Sequence, residues 1–304
     1  MKKQATSFIW MIPAALLFAA GFVVATFWDL SINQAIFTPN NTFAILMEAV
    51  GWYPAFAPPF VFLALLLSHP REMRKPWVRP IAIVGITAGF CSITHAGYVH
   101  FVHRDFFAHP ADWRAIVFFT TAAAGLAILI YISLRANPSL RKKMEFFVLW
   151  GTVFLAANQI FIYPLKLFWQ RTRFDDMHAR GSFADFTPWF QPMANGGSSF
   201  PSGHTANAAA VFLVIVLCDA FSVYGGRRFF AYLTAWAYTA SMGFARILIG
   251  RHFLSDTLAA SGLMALLLFA MRRTGFYQKS LCKLHDFILR STNKKTSSEI
   301  EKEN

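Results

Sequence analysis

Apolar residues in this chain fall in long unbroken runs. They show neither the two-residue alternation of a half-buried strand nor the 3.6-residue stripe of a surface helix. The runs approach the ~20 residues with which an α-helix crosses the hydrocarbon layer of a bilayer. They predict about eight spans, at Ser7–Phe27, Trp52–Ser68, Val78–Tyr98, Trp113–Leu134, Phe146–Leu165, His204–Tyr224, Phe229–Leu248 and Phe253–Met271. Pro54, Pro58 and Pro59 fall in the second span, where they kink or shorten a helix. Lipid offers the backbone no hydrogen-bond partners, so the fold class is all-α, a polytopic membrane helix bundle.

Composition agrees. The chain is 56% hydrophobic and only 14% charged, less charge than the ~25% of a soluble domain. Its formal net charge is +13. On a soluble protein that excess would suggest nucleic acid. Here the basic residues sit in short loops and in the tail, a placement that carries topology information instead. One set of segments holds Lys2 and Lys3, then Arg71, Arg74, Lys75 and Arg79, then Arg135, Arg141, Lys142 and Lys143, then Arg227 and Arg228, then the tail from Arg272 to Lys302. The opposite set opens with Asp29–Gly51, which has no Lys or Arg. Both termini are therefore expected in the cytoplasm. The first span reads as an uncleaved signal anchor. Phe276–Arg290 reads as an interfacial helix with Leu281, Leu284 and Ile288 on one face. Ser291–Asn304 is expected to be disordered. Cys91, Cys218 and Cys282 form no disulfide pattern.

Three short blocks carry chemistry, and the span map puts all of them on the outer face. They are Lys166-Leu-Phe-Trp-Gln-Arg-Thr-Arg173, Pro201-Ser202-Gly203-His204, and Arg246-Ile-Leu-Ile-Gly-Arg-His252-Phe-Leu-Ser-Asp256. Lys166, Arg173 and Arg246 are suited to surround a phosphate with positive charge. Ser202 stands where a helix begins, and a helix start offers free N–H groups and a positive dipole end. Gly203 lets the backbone approach an anion. His252 and Asp256 are four residues apart and share a helix face. A carboxylate there fixes the imidazole tautomer, which suits His252 to act as nucleophile. His204 is left to act as general acid on the leaving alkoxide.

These residues resemble the type 2 phosphatidate phosphatase superfamily, which includes the lipid phosphate phosphatases and the vanadium haloperoxidases. The match falls on Lys166, Arg173, Pro201, Ser202, Gly203, His204, Arg246, His252 and Asp256, with all internal spacings kept. The resemblance implies a phosphohistidine at His252, oriented by Asp256, with His204 as acid and no metal or other cofactor. It also implies a phosphate pocket made by Lys166, Arg173, Ser202, Gly203 and Arg246. Phe174 stands where the family has proline, and Ala245 where it has serine. Family members of the membrane type have three spans before the second block, whereas five are predicted here. The resemblance thus covers 146–271, leaving an N-terminal membrane region, 1–145, without a role and a basic cytoplasmic tail, 272–304.

The expected function is removal of phosphate from a lipid phosphate or pyrophosphate at the outer face of a bacterial inner membrane. Candidate substrates are phosphatidate, phosphatidylglycerophosphate, undecaprenyl pyrophosphate and the phosphates of lipid A. The long loop from Arg173 to Pro201 leaves room for a large headgroup and favours the last two. A phosphotransferase on the same site and a lipid transporter without chemistry are the alternatives. Nucleic acid is not an expected partner. Arg171, Asp175, Asp176 and His178 read either as headgroup-shaping residues or as a solvated loop. Phe183–Phe200 reads as interfacial seating or as a lid. His100, His103, Asp105, His109 and Asp112 read as a polar connecting loop, since their spacing fits no closed metal site.

Overall fold

The computed structural model describes residues 11–67, 75–103, 113–193 and 196–303. Regular structure among the described residues is helical throughout. Helix α1 (Met11–Ile36) is apolar as far as Ala25, and its last turns carry Thr26, Asp29, Ser31, Asn33 and Gln34. Helix α2 (Thr42–Val50) is capped by Asn41, whose side chain accepts from Ala44 N at 3.0 Å. A 3-10 turn at Tyr53–Phe56 leads into α3 (Ala57–Leu67). The three prolines fall in that turn and in the first turn of α3, where a missing N–H costs nothing.

Two long helices follow, α4 (Val78–His103) and α5 (Trp113–Leu134). Helix α6 (Pro138–Trp169) starts on an Asn137 cap that accepts from Leu140 N at 2.8 Å. The rest are α7 (Phe174–Ala179), α8 (Gly203–Ala208), α9 (Val214–Ala220), α10 (Gly225–Leu248), α11 (Leu254–Arg273) and α12 (Gly275–Glu303). A 3-10 stretch, Ala209–Leu213, joins α8 to α9.

Six segments among the described residues are long and apolar enough to cross a membrane: Ala15–Ile36, Thr42–Leu67, Pro80–Val102, Pro138–Ala179, Gly203–Ala220 and Leu254–Arg273. The helix bundle expected from the sequence is present, with six such segments against the eight predicted. Helix α10 has the length but carries Arg227, Arg228 and Arg246 with several Thr and Ser. Among the residues of α5 whose side chains are described, Phe119–Ile128 is an apolar stretch. The N-terminal boundaries also differ. The predicted outer loop Asp29–Gly51 is mostly helix, because α1 runs on to Ile36 and α2 begins at Thr42. Asp29 and Glu48 do not end these helices, since each is buried against a cation. The tail differs as well: α12 continues through Glu303, where disorder was expected. Its first turns are nucleated by packed Tyr277 and Leu284, after which each added residue costs less than starting a new helix.

The chain forms two compact units. The first takes Met1–Trp52, Ala157–Ala209 and Trp236–Leu266, and it contains all three motif blocks. Within it α1 packs closely on α11. A Cβ at Gly21 would meet Leu258 at 2.9 Å, and one at Gly262 would meet Phe18 at 3.1 Å, the small-residue contact by which membrane helices approach. The second unit takes Tyr53–Ala156, Ala210–Ala235 and Leu267–Asn304. There α3 packs on α4 and α5, and α12 packs on α9. The α12 contact is pinned by Asp219, which accepts from Tyr277 Oη at 2.6 Å and pairs with Arg228 and Arg272 at 2.8 and 2.7 Å.

Candidate active site

Lys166 lies in the last turn of α6. Beyond it, Gly197 N donates to Gln170 O at 3.1 Å and Ser199 N to Arg171 O at 2.9 Å. Residues 170–173 and 197–199 therefore run side by side. A Cβ at Gly197 would lie 2.3 Å from the Arg171 carbonyl oxygen, so only glycine fits there. The pairing puts Ser198 between two cations. Lys166 Nζ donates to its carbonyl at 2.6 Å and Arg173 Nη2 to its hydroxyl at 2.9 Å.

Ser202 caps α8 by accepting from Thr205 N at 3.3 Å, and its own N–H donates to Asp256 O at 3.0 Å. That bond ties the start of α8 to the first turn of α11. A Cβ at Gly203 would sit 3.3 Å from Lys166 Cε, so the lysine stem lies over the helix start. His204 follows, half-buried, with its ring 6.4 Å from that of Trp52.

His252 and Asp256 are both buried, at 2% and 0% exposure. Their closest approach is Nδ1 to Oδ2 at 3.6 Å, ion-pair range and longer than a hydrogen bond. Asp256 Oδ2 instead accepts from Ser199 Oγ at 2.5 Å and Phe253 N at 2.9 Å, so His252 Nδ1 has no hydrogen bond. Burial holds the imidazole well below its ordinary value, at about 3, and the positive charges of Lys166 and Arg246 push the same way against Asp256. At neutral pH His252 is uncharged.

Behind these residues stands a buried network absent from the sequence expectations. Arg171 is 1% exposed. Its Nη1 donates to Asp256 Oδ1 at 2.7 Å and to Ser255 Oγ at 2.8 Å, and its Nη2 to Asp29 Oδ2 at 3.0 Å. Asp29 also accepts from Ser255 N at 3.0 Å and from Ser255 Oγ. The Arg171 guanidinium lies 4.1 Å from the Phe253 ring centroid. Arg246 Nη1 donates to Glu48 Oε1 at 2.7 Å, with both side chains buried. Asn33 Nδ2 donates to His252 O at 3.1 Å. One signal pointed to Asp29 and Glu48: each is a carboxylate inside an apolar stretch, and such residues are rarely there without a partner.

Residues 146–280 match the PAP2 superfamily, a span that holds all three blocks. The PAP2 segment also resembles phosphatidylglycerophosphatase B of Bacillus subtilis, at 35% identity over 95 residues, 30% of this chain and 46% of that relative. The chain thus spans less than half the length of the relative it matches. No solved structure matches it.

Both departures from the PAP2 pattern are core positions. Phe174 is 1% exposed and stacks on Phe183 at 5.3 Å, with Phe37 edge-on at 5.1 Å. Ala245 is fully buried among Ala44, Met47, Ala208 and Met242, where a serine hydroxyl would lie in apolar surroundings. Of the residues read as headgroup-shaping or solvated, Arg171 is neither, because its guanidinium is taken by the two aspartates. Asp175 pairs with Arg251 at 3.1 Å, while Asp176 and His178 are exposed. The aromatic segment after α7 is tied to α1: Trp189 Nε1 donates to Thr26 Oγ1 at 3.0 Å and its ring lies 4.8 Å from Phe22. Asp105, His109 and Asp112 lie outside the described residues, as does the side chain of His103.

Proposed function

We propose that the chain is a membrane phosphatase that removes phosphate from a lipid phosphate or pyrophosphate through a phosphohistidine at His252. One observation carries this reading: an uncharged, buried imidazole with a carboxylate at its Nδ1 side, within the field of Lys166 and Arg246. The match of residues 146–280 to the PAP2 superfamily and the phosphatase name of the relative support it.

In this mechanism Lys166, Arg173, Arg246 and the N–H groups at the start of α8 bind the phosphate oxygens. His252 Nε2 attacks the terminal phosphorus, and its bond to the lipid oxygen, or in a pyrophosphate to the bridging oxygen, breaks. His204 gives its proton to that departing oxygen. Asp256 stabilises the imidazolium as charge develops, its 3.6 Å contact closing to a hydrogen bond. Water, losing a proton to His204, then attacks the phosphohistidine and releases inorganic phosphate. The protein's own cations do the work that a metal does elsewhere. The basic bias of the loops puts both termini in the cytoplasm and this site at the periplasmic face of a bacterial inner membrane.

The test is phosphate release by purified protein in detergent with EDTA present. The panel is phosphatidate, phosphatidylglycerophosphate, undecaprenyl pyrophosphate and lipid A. Wild type should release phosphate, and His252→Ala should lose at least about a thousandfold. Equal release by the variant, or loss of wild-type release in EDTA, would refute the mechanism.

A further inference from the structure

We propose that α1 and α2, which precede the PAP2 segment, supply two positioning residues to its site: Glu48 for Arg246, and Asp29, acting through Arg171, for Asp256. The inference rests on the phosphatase reading above.

The argument begins with charge pairing. Arg171 is matched by Asp29 and Asp256, Arg246 by Glu48, and Arg251 by Asp175. Lys166 and Arg173 donate only to the neutral oxygens of Ser198 among the described residues. A phosphate dianion entering the site therefore meets two cations without a carboxylate, beside arginines already fixed in place. Glu48 takes one Nη1 hydrogen of Arg246, and a guanidinium has five N–H donors. The carboxylate thus orients the fork and leaves donors for phosphate. Without it, a 3% exposed guanidinium would stand uncompensated among like charges and turn away from the productive position.

Asp29 acts one step further back. Its two oxygens hold Ser255 and Arg171, and Arg171 in turn holds Asp256 Oδ1. This leaves Oδ2 as the oxygen facing His252 Nδ1. Asn33, one turn along α1 and on the same face, holds the carbonyls of His252 and Ile247 at 3.1 and 3.4 Å. A single face of α1 therefore fixes both the backbone of the nucleophile and the carboxylate that orients it. The N-terminal region gains a role on this reading, because the site is incomplete without it.

The two residues predict different kinetic signatures. Glu48→Gln should raise KM and the inhibition constant of orthovanadate about tenfold, with kcat within about threefold, since ground-state anion binding is what Arg246 loses. Asp29→Asn should lower kcat about tenfold at nearly constant KM, since the imidazole is misaligned while the anion pocket stands. Both are measured on full-length protein in detergent, well below each variant's melting temperature. If either fails to fold, Glu48→Asp and Asp29→Glu keep the charge, shift the carboxylate by one methylene and are read by the same split. Constants within about twofold of wild type in an active preparation would overturn the inference, as would equal changes in kcat and KM in both variants. Wild type that releases no phosphate from any lipid would instead refute the phosphatase reading itself.

Discussion

At the residue scale, the charge state of His252 has a measurable cost. An unfolded histidine titrates near 6.5, while burial holds the folded one at about 3. Between these values the unfolded chain takes up a proton that the native protein refuses. The stability is thus fully present above about pH 6.5 and declines as pH falls toward 3. Melting temperature in detergent should drop between about pH 6.5 and 4, and the drop should shrink in His252→Gln. An equal drop in both proteins would assign it to other groups. Arg171 carries a larger stake, since its loss leaves Asp29 and Asp256 buried and uncompensated. Arg171→Met should cost about 3–5 kcal/mol in chemical denaturation, and a loss under ~1 kcal/mol would show that the network is not structural. His252 and Asp256 were legible in the sequence as a motif, but not as the shared helix face expected: α11 begins at Leu254, and His252 stands in the turn before it, 3.6 Å from Asp256. Asp29 and Glu48 were not, because their arginines lie 142 and 198 residues away along the chain. No local pattern encodes such a pairing. Only their isolation among apolar residues marked them.

At the scale of elements, the long helices could be read from apolar length alone, and their ends could not. Asp29 and Glu48 looked like the edge of a polar loop, yet buried partners let α1 and α2 continue through them. The turn from α10 to α11 was visible as a motif and not as a shape. Gly250 there has φ +72, and a Cβ would lie 2.8 Å from Phe37 and 3.0 Å from Phe174. Gly250→Ala should cost about 1–2 kcal/mol from the left-handed conformation alone, with more from the displaced rings. Activity should fall with it, because the same turn delivers His252. Thermal melting and phosphate release on one preparation check both, and an unchanged melting temperature would mean the turn relaxes freely.

At the scale of the whole molecule, the alternation of basic and non-basic loops was legible, because lysine and arginine resist transfer across the membrane whatever helix they flank. The grouping of helices was not, since each compact unit draws on three separated stretches of chain, and hydropathy says nothing about which apolar faces meet. The charge bias makes one further prediction. Cys282 is exposed on α12, on the side assigned to the cytoplasm. Arg180, just after α7, is on the side assigned to the periplasm, where its side chain is 54% exposed, pairs with Asp185 and donates from Nε to Asp176 O at 3.1 Å, exposed contacts whose loss costs little. Cys91 is exposed within α4 and Cys218 is buried, so a background with Cys91→Ser leaves Cys282 as the reporter thiol. In intact spheroplasts a membrane-impermeant maleimide should leave Cys282 unlabelled, and adding Arg180→Cys should create a labelled site. In inverted vesicles the pattern should reverse. Labelling of Cys282 from outside would turn the bundle over and put the His252 site on the cytoplasmic face, where a lipid displayed on the outer leaflet could not be its substrate.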